Sequence, residues 1–272
     1  MSHDVRTPIN GIQGCVDIAD RYPDDLKLQQ EARTKIRTAS GYLLNLVNDV
    51  LDMNKLESGN IQLERKHFNL LEVLHNTNEI IRVQANESGV NYYVEDGEII
   101  HTQLIGSPVH FQQILMNIGS NAVKYNHDGG SVTVTCREVS YTDTTAEYEL
   151  TCTDTGIGMS EEFQKKAFEP FAQEGQSART KYAGTGLGLA IAKKLIELQG
   201  GTLFFESIQG KGTKFILRIP FEISAEEQEK KSHMYQNCSV EGVQVLLVED
   251  NELNMEIAEF LLKEEKMKVT KA

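Results

Sequence analysis

Apolar residues recur at alternating steps of three and four in two segments at the start of the chain. This spacing is typical of amphipathic helices that pack together. A polar break at residues 22–25 separates the segments, and Asp24 or Asp25 is placed to cap the second helix. The apolar positions are Val5, Ile9, Ile12, Val16 and Ala19 in the first segment and Ile36, Ala39, Leu43, Leu46, Val50 and Met53 in the second.

The apolar face of the second helix is widened further by Leu44, Val47 and Leu51. Two helices with such wide stripes rarely cover each other completely. We therefore predict an antiparallel helical hairpin over residues 1–58 that pairs with a second copy into a four-helix bundle, which makes the protein a homodimer.

Between residues 59 and 222 the pattern changes to short alternating segments separated by helical ones. This predicts an α+β fold, an α/β sandwich in which helices cover one face of an antiparallel sheet. The predicted strands are residues 61–68, 90–94, 101–105, 132–139, 147–153, 202–207 and 213–220, and the predicted helices are residues 70–85, 111–125 and 187–199.

Two glycine motifs stand at the centre of this region. DTGIGM at residues 154–159 follows a predicted strand, and GTGLGL at residues 184–189 opens a predicted helix. Glycine lets the backbone approach a ligand closely, and the free amides at a helix start favour anions. The alternative interpretation is that the two motifs are ordinary, unrelated turns. The occurrence of both glycine motifs in this order favours a phosphate-binding site.

The predicted helix at residues 111–125 carries Asn117, Asn121 and Lys124 at positions i, i+4 and i+7, on one face. Amide oxygens can ligate Mg²⁺, and lysine supplies a positive charge for phosphate. A solvated polar face is an equally good interpretation of these three residues taken alone.

His3 lies outside the apolar stripe of the first helix and is expected to be exposed, with Thr7 one turn further on the same face. Taken alone, an idle surface histidine is the favoured interpretation.

Composition narrows the range of functions. The formal net charge of −13 argues against a broad nucleic-acid surface. No apolar run approaches the ~20 residues that span a bilayer, so we expect no membrane contact by this chain. The widely spaced Cys15, Cys136, Cys152 and Cys238 show no metal-binding spacing and predict reduced thiols and a cytoplasmic location.

Five segments together resemble the sequence boxes of sensor histidine kinases. In chain order they match the phosphoacceptor, asparagine, first glycine, phenylalanine and second glycine boxes, at residues 2–8, 117–125, 154–159, 168–171 and 184–188. The resemblance implies a dimerisation and phosphoacceptor hairpin at 1–58 and, at 59–222, the ATP-binding domain shared with gyrase and heat-shock chaperone ATPases. It also reverses the interpretation of His3 as an idle residue.

The resemblance implies a role for each matching residue, with ATP and Mg²⁺ as cofactors. His3 would attack the γ-phosphorus, and Asp4 would accept a proton from the other ring nitrogen. Asp154 would accept a hydrogen bond from the adenine amine, while Asn121 would hold Mg²⁺ with Asn117 nearby. Further nucleotide contacts are implied for Lys124, Tyr125, Gly156, Gly158, Arg179, Lys181, Gly184, Thr185, Gly186, Leu187 and Gly188.

Three positions refine this picture. Asn117 stands where hydrolysing relatives carry a glutamate base, and an amide cannot take a proton from water, so transfer to histidine is favoured. Thr7 completes a His-Asp-x-x-Thr pattern that accompanies phosphatase activity in this family. In the expected lid at residues 173–183, threonine and arginine are exchanged relative to the usual order, which leaves Arg179 and Lys181 as alternative γ-phosphate ligands.

A charged linker is predicted at residues 223–241, followed at residues 242–272 by a strand, a helix and a second strand. This tail resembles the first βαβ portion of a response-regulator receiver, in which Glu249 and Asp250 match the acidic Mg²⁺ ligands. The receiver's acceptor aspartate would lie beyond Ala272, so the resemblance implies a hybrid kinase. Sensor modules are expected upstream, and the sequence leaves open whether the full-length protein is anchored in a membrane.

The sequence supports three functions, of which the first is the leading hypothesis. The first is an ATP-dependent protein-histidine kinase that phosphorylates His3 and passes the phosphoryl group to a receiver aspartate, its own or that of a separate response regulator. The second is a receiver phosphatase that works through Thr7. The third is a dimeric scaffold whose nucleotide site only sets its conformation.

Overall fold

The computed structural model describes residues 2–59, 61–174, 185–224, 242–248, 252–264 and 266–271, and for residues 2–4 and 252–254 it describes the backbone only. The chain divides into two compact units, residues 1–227 and residues 228–272. None of the described helices is long and apolar enough to cross a bilayer.

The first unit begins with the predicted helical hairpin, α1 (Ser2–Arg21) and α2 (Leu26–Glu57). Asp25 caps α2, because its side chain accepts a hydrogen bond from Leu28 N at 3.0 Å. Gln29 Nε2 donates to the carbonyl of Ala19 at 2.6 Å and so ties the turn to α1. A single copy of the hairpin leaves several large apolar side chains exposed, namely Ile9, Val16, Ile18, Leu44, Val47 and Leu51.

A seven-stranded sheet follows, with the strand order β1-β3-β7-β5-β4-β2 and with β6 paired to β7. The strands are β1 (Lys66–Asn69), β2 (Asn91–Glu95), β3 (Gln103–Gly106), β4 (Ser131–Tyr141), β5 (Thr145–Asp154), β6 (Thr202–Ile208) and β7 (Gly212–Ile223). The central strands β4, β5 and β7 are the longest and pair antiparallel, as the sequence predicts.

The edge of this sheet differs from the prediction. β2 pairs with β4 in parallel, with Val94 beside Val134, whereas the sequence predicted antiparallel pairing throughout. α4 (Pro108–Lys124) lies between these strands in the chain and supplies the crossover that a parallel pair requires. The strand predicted at residues 61–68 is also shorter, because only Lys66–Asn69 finds a partner, in β3.

Three of the described helices cover the sheet: α3 (Leu70–Glu87), α4 and α6 (Gly188–Leu198), while α5 (Glu161–Gln164) is a single turn. Asn69 caps α3, since its side chain accepts hydrogen bonds from the amides of Leu71 and Glu72. The largest fully buried side chains of this core are Tyr148, Phe111, Leu70, Leu104, Ile114, Leu187, Ile191, Leu195, Ile196, Leu217 and Ile219. Leu46 is buried to the same degree in the hairpin. Each aliphatic or phenylalanine side chain buried in this way contributes roughly 1.5–3 kcal/mol.

The second unit contains β8 (Gln244–Leu247), α7 (Glu252–Glu264) and β9 (Lys268–Lys271). β8 and β9 are parallel, with Val245 beside Val269, so this unit has the predicted βαβ order. Within the described residues the sheet has two strands only, and Leu246 and Phe260 stay largely exposed. Glu249 and Asp250 lie outside the described residues.

Candidate nucleotide-binding site

Asp154 ends β5 as a buried carboxylate with two backbone donors. Its Oδ1 accepts hydrogen bonds from Gly156 N at 2.8 Å and from Thr213 N at 3.2 Å. Burial raises the pKa of Asp154 to about 6, and the two hydrogen bonds act in the opposite direction. Oδ2 has no partner among the described residues, so it is available to accept a hydrogen bond from a ligand.

The first glycine turn fits closely between α4 and the β6–β7 hairpin. Ile157 N donates to the carbonyl of Tyr125, directly after α4, at 3.0 Å. A Cβ on Gly156 would lie 2.3 Å from that carbonyl oxygen, and Gly158 has a φ of +62°. Only glycine therefore fits at these two positions, and the turn is fixed against the end of α4.

The predicted polar face of α4 is present, with Asn117, Asn121 and Lys124 all half-buried. Burial lowers the pKa of Lys124, and its Nζ lies 4.7 Å from the centre of the Tyr125 ring. The partly desolvated Lys124 ammonium therefore lies near the first glycine turn, which follows Asp154. A phosphate group would form a favourable ion pair with it there.

The second glycine turn meets the same helix further along. A Cβ on Gly188, the first residue of α6, would lie 3.2 Å from Asn117 Oδ1. Gly186 has a φ of +72°, and its carbonyl accepts a hydrogen bond from Phe171 N at 3.0 Å. Leu187 is fully buried and anchors the start of α6 in the core.

The two glycine turns therefore flank one face of α4, the first at Tyr125 and the second at Asn117. This brings together Asn117, Asn121, Lys124, Tyr125, Asp154, Gly156, Gly158, Thr185, Gly186, Leu187 and Gly188. Arg179, Lys181 and Gly184 lie outside the described residues. His3 and Asp4 lie in the first turn of α1 with their side chains outside the description, and Thr7, exposed on α1, is not part of this face.

No metal site is formed by protein carboxylates, thiols or imidazoles alone within the described part of the chain. The donor set here is instead two amide oxygens, of Asn117 and Asn121, next to a lysine. This set suits Mg²⁺ held jointly with phosphate oxygens, because Mg²⁺ prefers oxygen ligands and is commonly shared with a nucleotide.

Two residues at this site escaped the sequence patterns. Thr213 donates its amide to Asp154, and Asp49 of α2 accepts a hydrogen bond from Thr185 Oγ1 at 2.7 Å. Asp49 is a polar residue of α2 that no sequence pattern marked as part of the site. Thr213 follows a glycine hairpin turn and carries no signal of its own.

Comparison with known proteins identifies the family to which the chain belongs. Residues 1–59 match the family model described as the His Kinase A (phospho-acceptor) domain, and residues 106–223 match that of the histidine kinase-, DNA gyrase B- and HSP90-like ATPase. Autoinducer 2 sensor kinase/phosphatase LuxQ of Vibrio cholerae serotype O1 is 33% identical over 95% of this chain, which spans 30% of LuxQ.

Hybrid signal transduction histidine kinase A of Dictyostelium discoideum is 36% identical over 81% of this chain and 10% of its own length. Among solved structures, full-length ShkA in complex with AMPPNP aligns over all of this chain and 54% of its own, with a TM-score of 0.61 and 25% identity. The curated relatives are therefore much longer than the segment they share with this chain.

Proposed function

The chain carries the two domains of the histidine kinase core and is homologous to hybrid histidine kinases, and from this we propose an ATP-dependent kinase that phosphorylates its own His3. The observation that carries the proposal is the α4 face of Asn117, Asn121 and Lys124 between two glycine turns. We assign residues 1–58 to the phosphoacceptor hairpin, 59–222 to the ATP-binding domain, 223–241 to a linker and 242–272 to a receiver fragment.

The base of ATP is held by Asp154 in this proposal. Its free Oδ2 accepts a hydrogen bond from the adenine amine, while the amides of Gly156 and Thr213 hold Oδ1. Tyr125, Gly156 and Gly158 form the walls around the base, where close backbone packing leaves no room for larger residues.

The triphosphate lies along α4 toward the start of α6. Lys124 and the amides from Gly184 to Gly188 bind phosphate oxygens, because the first turn of a helix presents free N–H groups. Asn121, with Asn117 beside it, would hold Mg²⁺, which would neutralise phosphate charge. Arg179 and Lys181 are the alternative cations for the γ-phosphate.

In the transfer step, a ring nitrogen of His3 forms a bond to the γ-phosphorus while the bond to the β–γ bridging oxygen breaks and ADP leaves. Asp4 takes the proton from the other ring nitrogen. Asn117 cannot activate water in its place, because an amide does not accept a proton at neutral pH. The phosphoryl group then passes to a receiver aspartate.

The location of the second glycine turn fits this step. α1 has 20 residues and α2 has 32, so the first turn of α1 lies level with roughly residue 45 of α2 in an antiparallel pair. Asp49, which accepts the hydrogen bond from Thr185, comes about one turn later. The phosphate end of the site thus contacts the hairpin near the level of His3.

A second activity, dephosphorylation of the receiver, is supported by Thr7. This residue is exposed on α1 one turn after His3, where its hydroxyl could position a water molecule. The relative from Vibrio cholerae is named a sensor kinase/phosphatase. The partners we propose are a second copy of the chain, bound through the exposed apolar stripe of the hairpin, and a receiver, bound in the cytoplasm.

The decisive experiment is incubation with γ-labelled ATP and Mg²⁺. We expect acid-labile label on the wild type, none on His3→Gln, and none on Asn121→Ala. ADP binding should survive in His3→Gln, which shows that the fold is intact. Tight nucleotide binding by the wild type without any label, also in a chain extended before residue 1, would favour the scaffold.

A further inference from the structure

A cavity of about 280 Å³ lies between α3, α4 and the sheet, near the edge that β2 forms. α3 and α4 form its roof, and side chains of β2, β4, β5 and β7 form its floor. Asn117, Asn121, Lys124 and Asp154 are not among the residues that line it, so it is separate from the candidate nucleotide site.

The interior of this cavity is apolar. Its walls include Leu74, Ile81, Val134, Leu150, Phe215 and Leu217. The charged side chains and the histidine that line the cavity are all exposed and therefore lie at its opening. They are His75, Glu79 and Arg82 of α3, Glu95 of β2 and the following Asp96. Such an interior excludes ions, because nothing inside it compensates for their lost hydration.

One amide side chain gives the cavity a hydrogen-bond donor. Asn78 lines it half-buried, and its Oδ1 accepts a hydrogen bond from the Tyr92 hydroxyl at 2.8 Å. Burial raises the pKa of Tyr92, so the hydroxyl remains a donor and holds the amide in one orientation. The Asn78 amide nitrogen has no hydrogen-bond partner in the described ranges, which leaves it available to a ligand.

From this we propose that the cavity is a second ligand site, for a small uncharged aromatic molecule that carries one hydrogen-bond acceptor. An apolar cavity of ~150 Å³ holds one benzene ring, so this one has room for about two fused rings. The acceptor atom takes the Asn78 amide hydrogen, and the rings pack against the apolar walls. ATP, which is highly charged, is excluded.

Quinoline is a suitable probe, because it has two fused rings and one acceptor nitrogen. It is titrated into ¹⁵N-labelled protein with and without saturating ADP, since Cys152 and Phe215 of the cavity lie two residues from Asp154 and Thr213. We expect saturable amide shifts in α3, β2 and β4, with a dissociation constant on the order of 0.1–1 mM in both states. Absence of saturable shifts, or shifts that ADP abolishes, would overturn the proposal.

A pair of matched variants tests the location. The chain has no tryptophan, so Val134→Trp both fills the cavity and introduces a single indole reporter. We expect blue-shifted emission and at least tenfold weaker quinoline binding. Val139→Trp, on the same strand but outside the cavity, should bind quinoline like the wild type.

Should Val134→Trp fail to fold, Asn78→Leu provides the second test. We expect about tenfold weaker binding of quinoline and unchanged binding of naphthalene, which has no acceptor. Equal quinoline binding by wild type and a folded Val134→Trp would overturn the site, and equal binding by Asn78→Leu would overturn the hydrogen bond.

Discussion

Thr185 of the second glycine turn donates a hydrogen bond to Asp49 of α2 across 2.7 Å, over a separation of 136 residues in the chain. Burial raises the pKa of Asp49, and the Thr185 hydrogen bond acts in the opposite direction. The same hydroxyl accepts a hydrogen bond from Leu187 N at 3.2 Å. The start of α6 is therefore hydrogen-bonded to the hairpin through the Thr185 side chain.

The Thr185–Asp49 bond should be measurable in a double-mutant cycle. We expect Asp49→Ala and Thr185→Val each to lower the free energy of unfolding, and the pair to show a coupling energy of about 1.5–3 kcal/mol, as is usual for a hydrogen bond to a charged group. Urea denaturation provides the values. Asp49→Asn, which keeps an acceptor oxygen, is the control and should lose less than Asp49→Ala. A coupling energy near zero would show that the contact does not stabilise the fold.

The affinity for ADP should depend on pH through Asp154. Its pKa is raised to about 6 by burial, and the adenine amine requires the ionised carboxylate as its acceptor. We expect affinity to fall roughly tenfold between about pH 7 and pH 5, where about one carboxylate in ten is ionised. Calorimetric titrations measure this. Asp154→Asn should bind weakly with no such slope, and an identical slope in both proteins would assign the effect to another group.

The stability of the nucleotide-free protein should respond to Asp154 with the opposite sign. Since the folded pKa of about 6 exceeds the ordinary value of 3.8, the folded protein binds more protons in this window. Stability therefore falls as the pH rises from about 4 to 6, by at most about 3 kcal/mol. Urea denaturation of wild type against Asp154→Asn isolates the effect, and parallel pH profiles would contradict it.

Gly186 should tolerate alanine less well than another glycine of similar backbone conformation. Gly186 has a φ of +72°, and an added Cβ would lie 2.8 Å from the backbone of Phe171 and Ala172. Gly210 has a φ of +79° with nothing within 4 Å. We expect Gly210→Ala to cost about 1–2 kcal/mol of stability, and Gly186→Ala to cost more and also to weaken ADP binding. Equal losses in urea denaturation and in ADP titration would rule out the steric contribution.

Features that depend on local pattern were predictable from the sequence. The helical hairpin, the aspartate cap of α2 and the two glycine turns each follow from a local sequence pattern. The predicted antiparallel pairing was wrong for β2, which pairs with β4 in parallel. The direction of this pairing depends on the path of α4 rather than on the sequence of either strand. Thr213 and Asp49 contact residues of the site that lie 59 and 136 positions away in the chain. A single sequence contains no pattern that predicts contacts over such separations.

The exposed stripe of the hairpin should hold two copies together. Leu44 is 61% exposed on α2, next to other exposed apolar residues of the same face. Leu44→Glu would place a charge in the proposed interface of the four-helix bundle, so we expect a monomer in sedimentation experiments at micromolar concentration. ADP binding should persist, because the nucleotide site lies within one copy.

Ile100→Glu is the matched control for the stripe. Ile100 is 67% exposed and lies between β2 and β3, away from the hairpin, so its substitution should leave the dimer intact. Loss of label from γ-labelled ATP in Leu44→Glu but not in Ile100→Glu would show that phosphorylation needs the paired hairpin. Dimeric mass in Leu44→Glu would mean that the copies associate through another surface, since a buried, unpaired glutamate in the bundle costs too much to be tolerated.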